Sequence, residues 1–275
     1  MPMAFINLAV LFLAFGALAR VCPCNPGQPS FFGRDMIDNT LYWVMGALLY
    51  GNVSALYIHL GADLFAPHAA DAVTKTILGG YGVAVRLPLL VQALLIVIAI
   101  DFVQYWVHRL FHGHALWPLH AIHHSQVDLD WTATYRNHPL NFLVYSTGVI
   151  ALVRLAGFSP LAYLVVAPFN MVFGSVVHAN LNWTYGPLRY VIASPVYHRW
   201  HHASDPAVRD HNFAPTFPIW DLMFGTYYMP RGVLPQAFGV DDVPGGFVGQ
   251  MVYPFRIYAE RLGLWRKPAA GGAIA

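Results

Sequence analysis

A chain of 275 residues in which 57% are apolar and 10% charged, with a mean hydropathy of +0.49, has the composition of an integral membrane protein rather than of a soluble domain. Its 15 basic and 13 acidic residues leave a net charge of +2 without a basic run, so nucleic acid is not an expected partner. Two cysteines, Cys22 and Cys24, separated by one residue, exclude the disulfide-rich secreted class.

Five stretches are apolar enough to cross, or dip into, a bilayer core about 30 Å thick: 3–19, 41–60, 82–107, 140–155 and 161–177. The first has no basic flank before it and no small-residue cleavage pattern after it, and it reads as a retained span rather than a leader. The fourth and fifth are joined by Gly157-Phe158-Ser159-Pro160, which makes them a helical hairpin that returns the chain to the side it left. Polar sequence after Asp101 therefore shares one face, apart from the hairpin tip. Ten of the eleven basic residues beyond Asp101 fall on that face, with Arg154 alone near the tip, and the positive-inside rule makes the face cytoplasmic. Tracing backward puts the N-terminus outside and Arg20, Arg34 and both thiols inside, where the thiols stay reduced.

From residue 183 onward the sequence is rich in Pro, Gly and aromatics and reads as a cytosolic cap, with an interfacial amphipathic helix within 246–264 and a disordered tail at 268–275. The expected fold is all-α: a multi-pass transmembrane bundle of about four to five spans or hairpin dips, carrying a His-rich cytosolic cap. Its expected parts are N-terminal transmembrane helices (1–80), a catalytic region (81–230) and a C-terminal segment with tail (231–275), in a single functional domain.

The functional signal is histidine. There are 14, more than the 13 carboxylates, and nine fall within 108–124 and 198–202, where random placement would put roughly one. His108 and His112 stand four apart, on one face of a helix. His120-Ala121-Ile122-His123-His124 and His198-Arg199-Trp200-His201-His202 each offer nitrogens at i, i+3 and i+4 that can converge on a common point from one turn. His138 opens the hairpin and His178 closes it, at the same membrane edge. The candidate ligands are thus His108, His112, His120, His123, His124, His138, His178, His198, His201 and His202. One transition metal takes at most about six donors, so this many imidazoles argue for two metals.

No Glu stands between a His pair, as zinc proteases of the H-E-x-x-H type require, and no Glu-x-x-His motif is present. Hydrolysis is disfavoured, and imidazole-only ligation at a membrane edge points to di-iron oxygen chemistry. Asp101, seven residues before His108 and on nearly the same helical face, needs a partner inside a span and is expected to accept an imidazole N–H. Asp221 is the matching carboxylate for the third His group. His114 reads as a loop residue and His211 either as an outer neighbour of the site or as a surface residue beside Asp210, while His59 and His68 lie near the opposite face.

The run Asp101-Phe102-Val103-Gln104-Tyr105-Trp106-Val107-His108-Arg109-Leu110-Phe111-His112, then Leu116-Trp117 and His120-Ala121-Ile122-His123-His124-Ser125, resembles the fatty acid hydroxylase/sterol desaturase superfamily. Arg136-Asn137-His138-Pro139, the late His198-Arg199-Trp200-His201-His202 and Ile219-Trp220-Asp221-Leu222-Met223-Phe224-Gly225-Thr226 extend the resemblance over roughly residues 95–230. It implies a cytosol-facing pair of iron ions held by the three His boxes and His178, O2 as cosubstrate, a lipid substrate and an external electron donor. His138 is then a ligand, or a residue that orients substrate or hydrogen-bonds a ligand. Two features depart from the family pattern. Asp210-His211-Asn212-Phe213-Ala214 stands where the family often has Asn-Tyr-Gly, and Asn182 stands where some hydroxylases carry a second His, so that a water held by Asn182 would complete one ligand sphere.

No haem-binding His-Pro-Gly-Gly, Cys-rich iron–sulfur run or Gly-x-Gly-x-x-Gly fingerprint occurs, so the electrons are expected from a separate ferredoxin, cytochrome b5-like protein or reductase, docked at Arg189, Arg199 and Arg209. A bis-His haem protein, a metal transporter and a zinc hydrolase are the competing readings. They call respectively for His at matched depth on two spans, ligands along a pore, and zinc without O2.

Overall fold

A backbone surrounded by hydrocarbon has to satisfy its own N–H and C=O groups, and helix does so locally. The computed structural model describes residues 2–65 and 70–265; His68 and the tail 268–275 fall outside the described residues. The long helices are α1 (Pro2–Val21), α2 (Met36–Phe65), α3 (Ala70–Gly79), α4 (Leu89–Phe111), α6 (Pro139–Leu155), α7 (Pro160–His178) and α10 (Phe247–Arg261), with three short ones, α5 (Trp117–His124), α8 (Pro195–His201) and α9 (Ile219–Phe224), between them. Among the described residues the only β pairing is a single bridge between Ala203 and Phe238. Helices α4 and α7 are long and apolar enough to cross a bilayer, and shorter apolar helices run over Ala9–Val21 and Pro139–Val153.

The sequence places the third apolar stretch at 82–107, but the helix begins at Leu89. Pro88 cannot sit in a helix interior and forces Leu87 into the extended region (ψ 151°), so Ala84–Arg86 closes only a 3-10 turn. At its other end α4 runs on to Phe111. It is apolar on the outside: Leu90, Leu94, Ile98, Phe102, Trp106 and Leu110, each four residues apart, are all exposed. The inner face carries Gln92, Asp101, Tyr105 and His108 beside Ile96 and Ile100. This inverts the pattern of a water-soluble helix, whose apolar stripe faces the core.

Ala93, Ile96 and Ile100 of α4 pack on Val149 and Val153 of α6 and on Ala162 and Val166 of α7. The hairpin tip is tied to the start of α4. Gln92 accepts from Ser159 N (2.9 Å) and donates to the Leu87 carbonyl (2.8 Å), while Ser159 caps α7 by accepting from Leu161 N (3.2 Å). Gly157, at φ 77°, accepts from Tyr81 N at 2.9 Å, and a Cβ there would lie 2.4 Å from the Tyr81 carbonyl oxygen. With the tip fixed beside Gln92, the far ends of α4, α6 and α7 must meet about 24 Å along the bundle, one helix length away. Those ends carry His108, His138 and His178.

Around this end the chain builds a cap of short helices. Val196, Tyr197 and Trp200 of α8 pack with Val177 and Cys24, and Ala121 and Ile122 of α5 pack with Tyr42 of α2 and Tyr253 of α10.

Candidate metal centre

Short helices preset where the imidazoles point. Pro118 in the first turn starts α5, and α8 begins with Pro195 behind Ser194, whose side chain accepts from Tyr197 N. Successive residues on a helix are rotated by about 100°, whereas i and i+4 nearly eclipse. A box therefore cannot deliver all of its nitrogens to one point, as its spacing alone suggests. Instead, His108, His112, His120, His124 and His201 form one set and His123, His178, His198 and His202 a second, with the ligand atoms within 4.8 Å of one another in each. The pairs four apart stay together, and each His-His doublet gives one ring to each set.

The hydrogen bonds fix which nitrogen faces inward. Nδ1 of His108 lies 2.7 Å from the Phe213 carbonyl, Nδ1 of His123 3.2 Å from that of Arg136, Nδ1 of His178 2.6 Å from that of Gly174 and Nδ1 of His201 2.7 Å from that of His211. His120 Nδ1 meets Asn141 Oδ1 at 3.2 Å, and His112 Nδ1 meets the Asp210 carboxylate at 2.9 Å. These oxygens only accept, so each Nδ1 carries the hydrogen and each Nε2 presents a bare lone pair. Yet Nε2 of His108 and His120 lie 3.0 Å apart, and those of His123 and His178 3.2 Å. Lone pairs facing at that distance repel, and a cation between them turns the repulsion into coordination. Nε2 of His112, His124 and His201 are also buried without a protein partner. Burial pushes His120, His123, His124, His198, His201 and His202 well below the ordinary imidazole range, so these rings are neutral and able to ligate. The donor set fits two transition-metal ions.

Several expected residues sit elsewhere. His138 joins neither set: its Nε2 is 3.2 Å from the Met251 carbonyl, its Nδ1 accepts from Leu140 N, and its ring lies against Phe255. Asp101 meets no imidazole; it accepts from Thr216 N (2.7 Å), Phe217 N (2.9 Å) and Trp220 Nε1 (2.9 Å) and so binds the loop before α9 to α4. Asp221 is also one step removed. It accepts from Phe213 N and Ala214 N (both 2.8 Å), Thr226 Oγ1 (2.6 Å) and the Tyr197 hydroxyl, and thereby orients the Phe213 peptide whose carbonyl holds His108. Burial raises the Asp221 carboxyl above its ordinary range, against these hydrogen bonds. Asn182 is exposed, with its backbone N–H on the Cys22 carbonyl. His211 contributes a carbonyl rather than its ring, His114 is exposed, and Arg199 is buried, leaving no guanidinium there for a docking partner.

Sequence reasoning missed Asn141 and Asp210, the side chains that orient His120 and His112. Asn141 carried a signal, since it lies inside the apolar hairpin, where a carboxamide needs a reason.

A cavity of about 300 Å³ leads from the rings into the bundle. His108, His120, His123, His178 and His198 line one part of it, and Ile100, Phe142, Val149 and Pro215 are among its walls, with Gln104 and Asn170 also lining it. A second cavity, about 290 Å³, borders the first set through His112, His124 and His201, with Trp117, Arg209 and Asp210.

Residues 93–226 match the family model described as fatty acid hydroxylase. The ornithine lipid hydroxylase of Rhizobium tropici is 31% identical over 184 residues, covering 66% of this chain and 55% of that protein. The alkylglycerol monooxygenase of Xenopus tropicalis is 32% identical over 131 residues, 47% of this chain and 29% of that one. A very-long-chain aldehyde decarbonylase of Oryza sativa subsp. japonica is 25% identical over 139 residues, 46% and 21% of the two chains. The chain thus spans about half the length of the first of these relatives and less of the others. No solved structure matches it.

Proposed function

Because residues 93–226 carry a fatty acid hydroxylase domain, we propose that this chain is a membrane di-iron oxidoreductase that hydroxylates or desaturates an unactivated C–H bond of a lipid, whether fatty acyl, sterol or isoprenoid. The observation that carries the reading is the set of bare Nε2 atoms facing one another at 3.0–3.2 Å in rings that line a cavity with largely apolar walls. Relatives named as a lipid hydroxylase and a monooxygenase support the reaction class.

When bound, the irons supply the oxidising power to break the C–H bond with dioxygen, two external electrons and two protons. The nine clustered imidazoles would hold them, and the oxygens behind six Nδ1 atoms keep those rings in the ligating tautomer. Ile100, Phe142, Val149 and Pro215 hold the hydrocarbon segment and keep water from the reacting carbon. Asp101 and Asp221 are positioning residues that fix the loop from Phe213 to Trp220 against the rings.

In this reading the chain is multi-pass, with about four to five spans or dips. The exposed apolar stripe of α4 faces lipid, and the rings lie at the cytoplasmic edge, a side chosen by the basic residues after Asp101. Residues 81–230 are the catalytic region, flanked by helices within 1–80 and by the segment 231–275. Electrons come from a separate ferredoxin, cytochrome b5-like protein or reductase.

Metal analysis of the purified protein tests the assignment. Two irons per chain without a Soret band, together with a lipid product that disappears from cells lacking the gene, are expected. Stoichiometric haem, or a hydrolase active without iron, overturns it.

A further inference from the structure

Arg199 lies between ligand positions of α8, and the reaction as described makes no use of it. It is 0% exposed. Its Nη1 donates to the carbonyls of Leu129 (2.6 Å) and His178 (3.4 Å), and its Nη2 donates to Asn25 Oδ1 and to Gln28 Oε1 (3.0 Å). The guanidinium also sits 4.5 Å above the Phe238 ring. All these partners are neutral. Among the described residues no carboxylate comes within 4.0 Å of it, whereas Arg136, also buried, pairs with Asp35 at 3.3 Å. A guanidinium does not shed its charge, and although the Asp130 carboxyl and the Cys24 thiol also act on it, its field in this desolvated site reaches His178 and His198.

That charge touches the backbone of one ligand, His178, and is sequence neighbour to another, His198, both in the four-imidazole set. The five-imidazole set has the opposite charge in direct contact, the exposed Asp210 carboxylate hydrogen-bonded to His112, with Arg209 lining the same cavity. We propose that the two metal positions are electrostatically unequal, with Arg199 making the position framed by His123, His178, His198 and His202 the weaker-binding and harder-to-oxidise of the two. A nearby cation disfavours a bound cation, and disfavours its ferric state more than its ferrous one. The smaller donor count acts in the same direction. This inference rests on the two-metal reading above.

Arg199 also clamps the loop that carries Asn25 and Gln28, and charge and clamp can be separated. Gln28→Glu keeps the length of the side chain and its bond to Nη2 while adding a carboxylate in direct contact with the guanidinium. Arg199→Lys keeps the charge and loosens the clamp. The metal-free, full-length protein in detergent is titrated anaerobically with Fe2+ by calorimetry, and the loaded protein is then oxidised stepwise and followed by Mössbauer spectroscopy. Wild type is expected to bind in two steps, with His178→Ala abolishing the weaker one. In Q28E the weaker step tightens by about tenfold and the tighter one moves by less than about twofold, and the iron that had stayed ferrous longer oxidises earlier. R199K retains the gap between the steps. Equal affinities in wild type, loss of the tighter step in H178A, or an unchanged weaker step in Q28E overturns the inequality and leaves the two-metal reading standing. Failure to bind a second Fe2+ at all overturns both.

Discussion

Removing the metals and lowering the pH should unfold this protein over a narrow interval. Six rings outside the long helices, His120, His123, His124, His198, His201 and His202, are held below the ordinary imidazole range by burial, so the native state keeps them neutral. In the unfolded chain each titrates near about 6.5. Below that value the unfolded state binds more protons than the native one, so stability present above about pH 6.5 is lost as the pH falls. At pH 5.5 each ring costs about 1.4 kcal/mol, and six cost about 8 kcal/mol as an upper limit, comparable with the roughly 5–15 kcal/mol that holds a domain together. Bound metals move the loss to lower pH, because protons must then displace an ion from the same lone pairs. The assay is thermal unfolding in detergent micelles, followed by tryptophan fluorescence, on chelator-treated and metal-loaded protein between pH 7.5 and 5.5. A metal-free protein equally stable at both ends of that range refutes the reasoning.

Three further outcomes follow from the geometry. Alanine at His178 should cost one of the two metals, whereas alanine at His138 should leave metal content at two per chain, read by elemental analysis. Asn141→Leu removes the acceptor behind His120 and should weaken metal binding by about 10–100-fold, measured by competition with a chelator. Asp221→Ala strands two backbone N–H groups and two hydroxyls in a buried site and should cost about 3–5 kcal/mol, seen as a lowered Tm together with loss of metal through the released Phe213 peptide.

The imidazoles were legible in sequence because ligation from a helix demands fixed intervals, and His178 was legible because the hairpin had to return to the same edge. Three features were not. The partition of each box between two ions follows from the 100° step between neighbours, which the spacing of a box does not display until its axis is set by packing. Four of the six oxygens that hold Nδ1 atoms are backbone carbonyls, of Phe213, Arg136, Gly174 and His211, and any residue type supplies those. Asp101 was found as a carboxylate needing a partner, but helical phase alone could not tell an imidazole from the two backbone N–H groups of a loop 115 residues away. In the fold, Pro88 marked the true start of α4, and the hydropathy of 82–88 masked it.

Trp106 lies two residues before His108, about 3 Å along the same helix, and is exposed on its outer side, where an indole settles at the level of the lipid headgroups. On the proposed membrane reading, the float line of the molecule and the height of its candidate metal ligands are therefore marked on a single rod. On the proposed reading, a lipid substrate lying alongside would meet the rings at a set depth below its headgroup. Extending its tail would add carbons beyond the point of attack without moving that point.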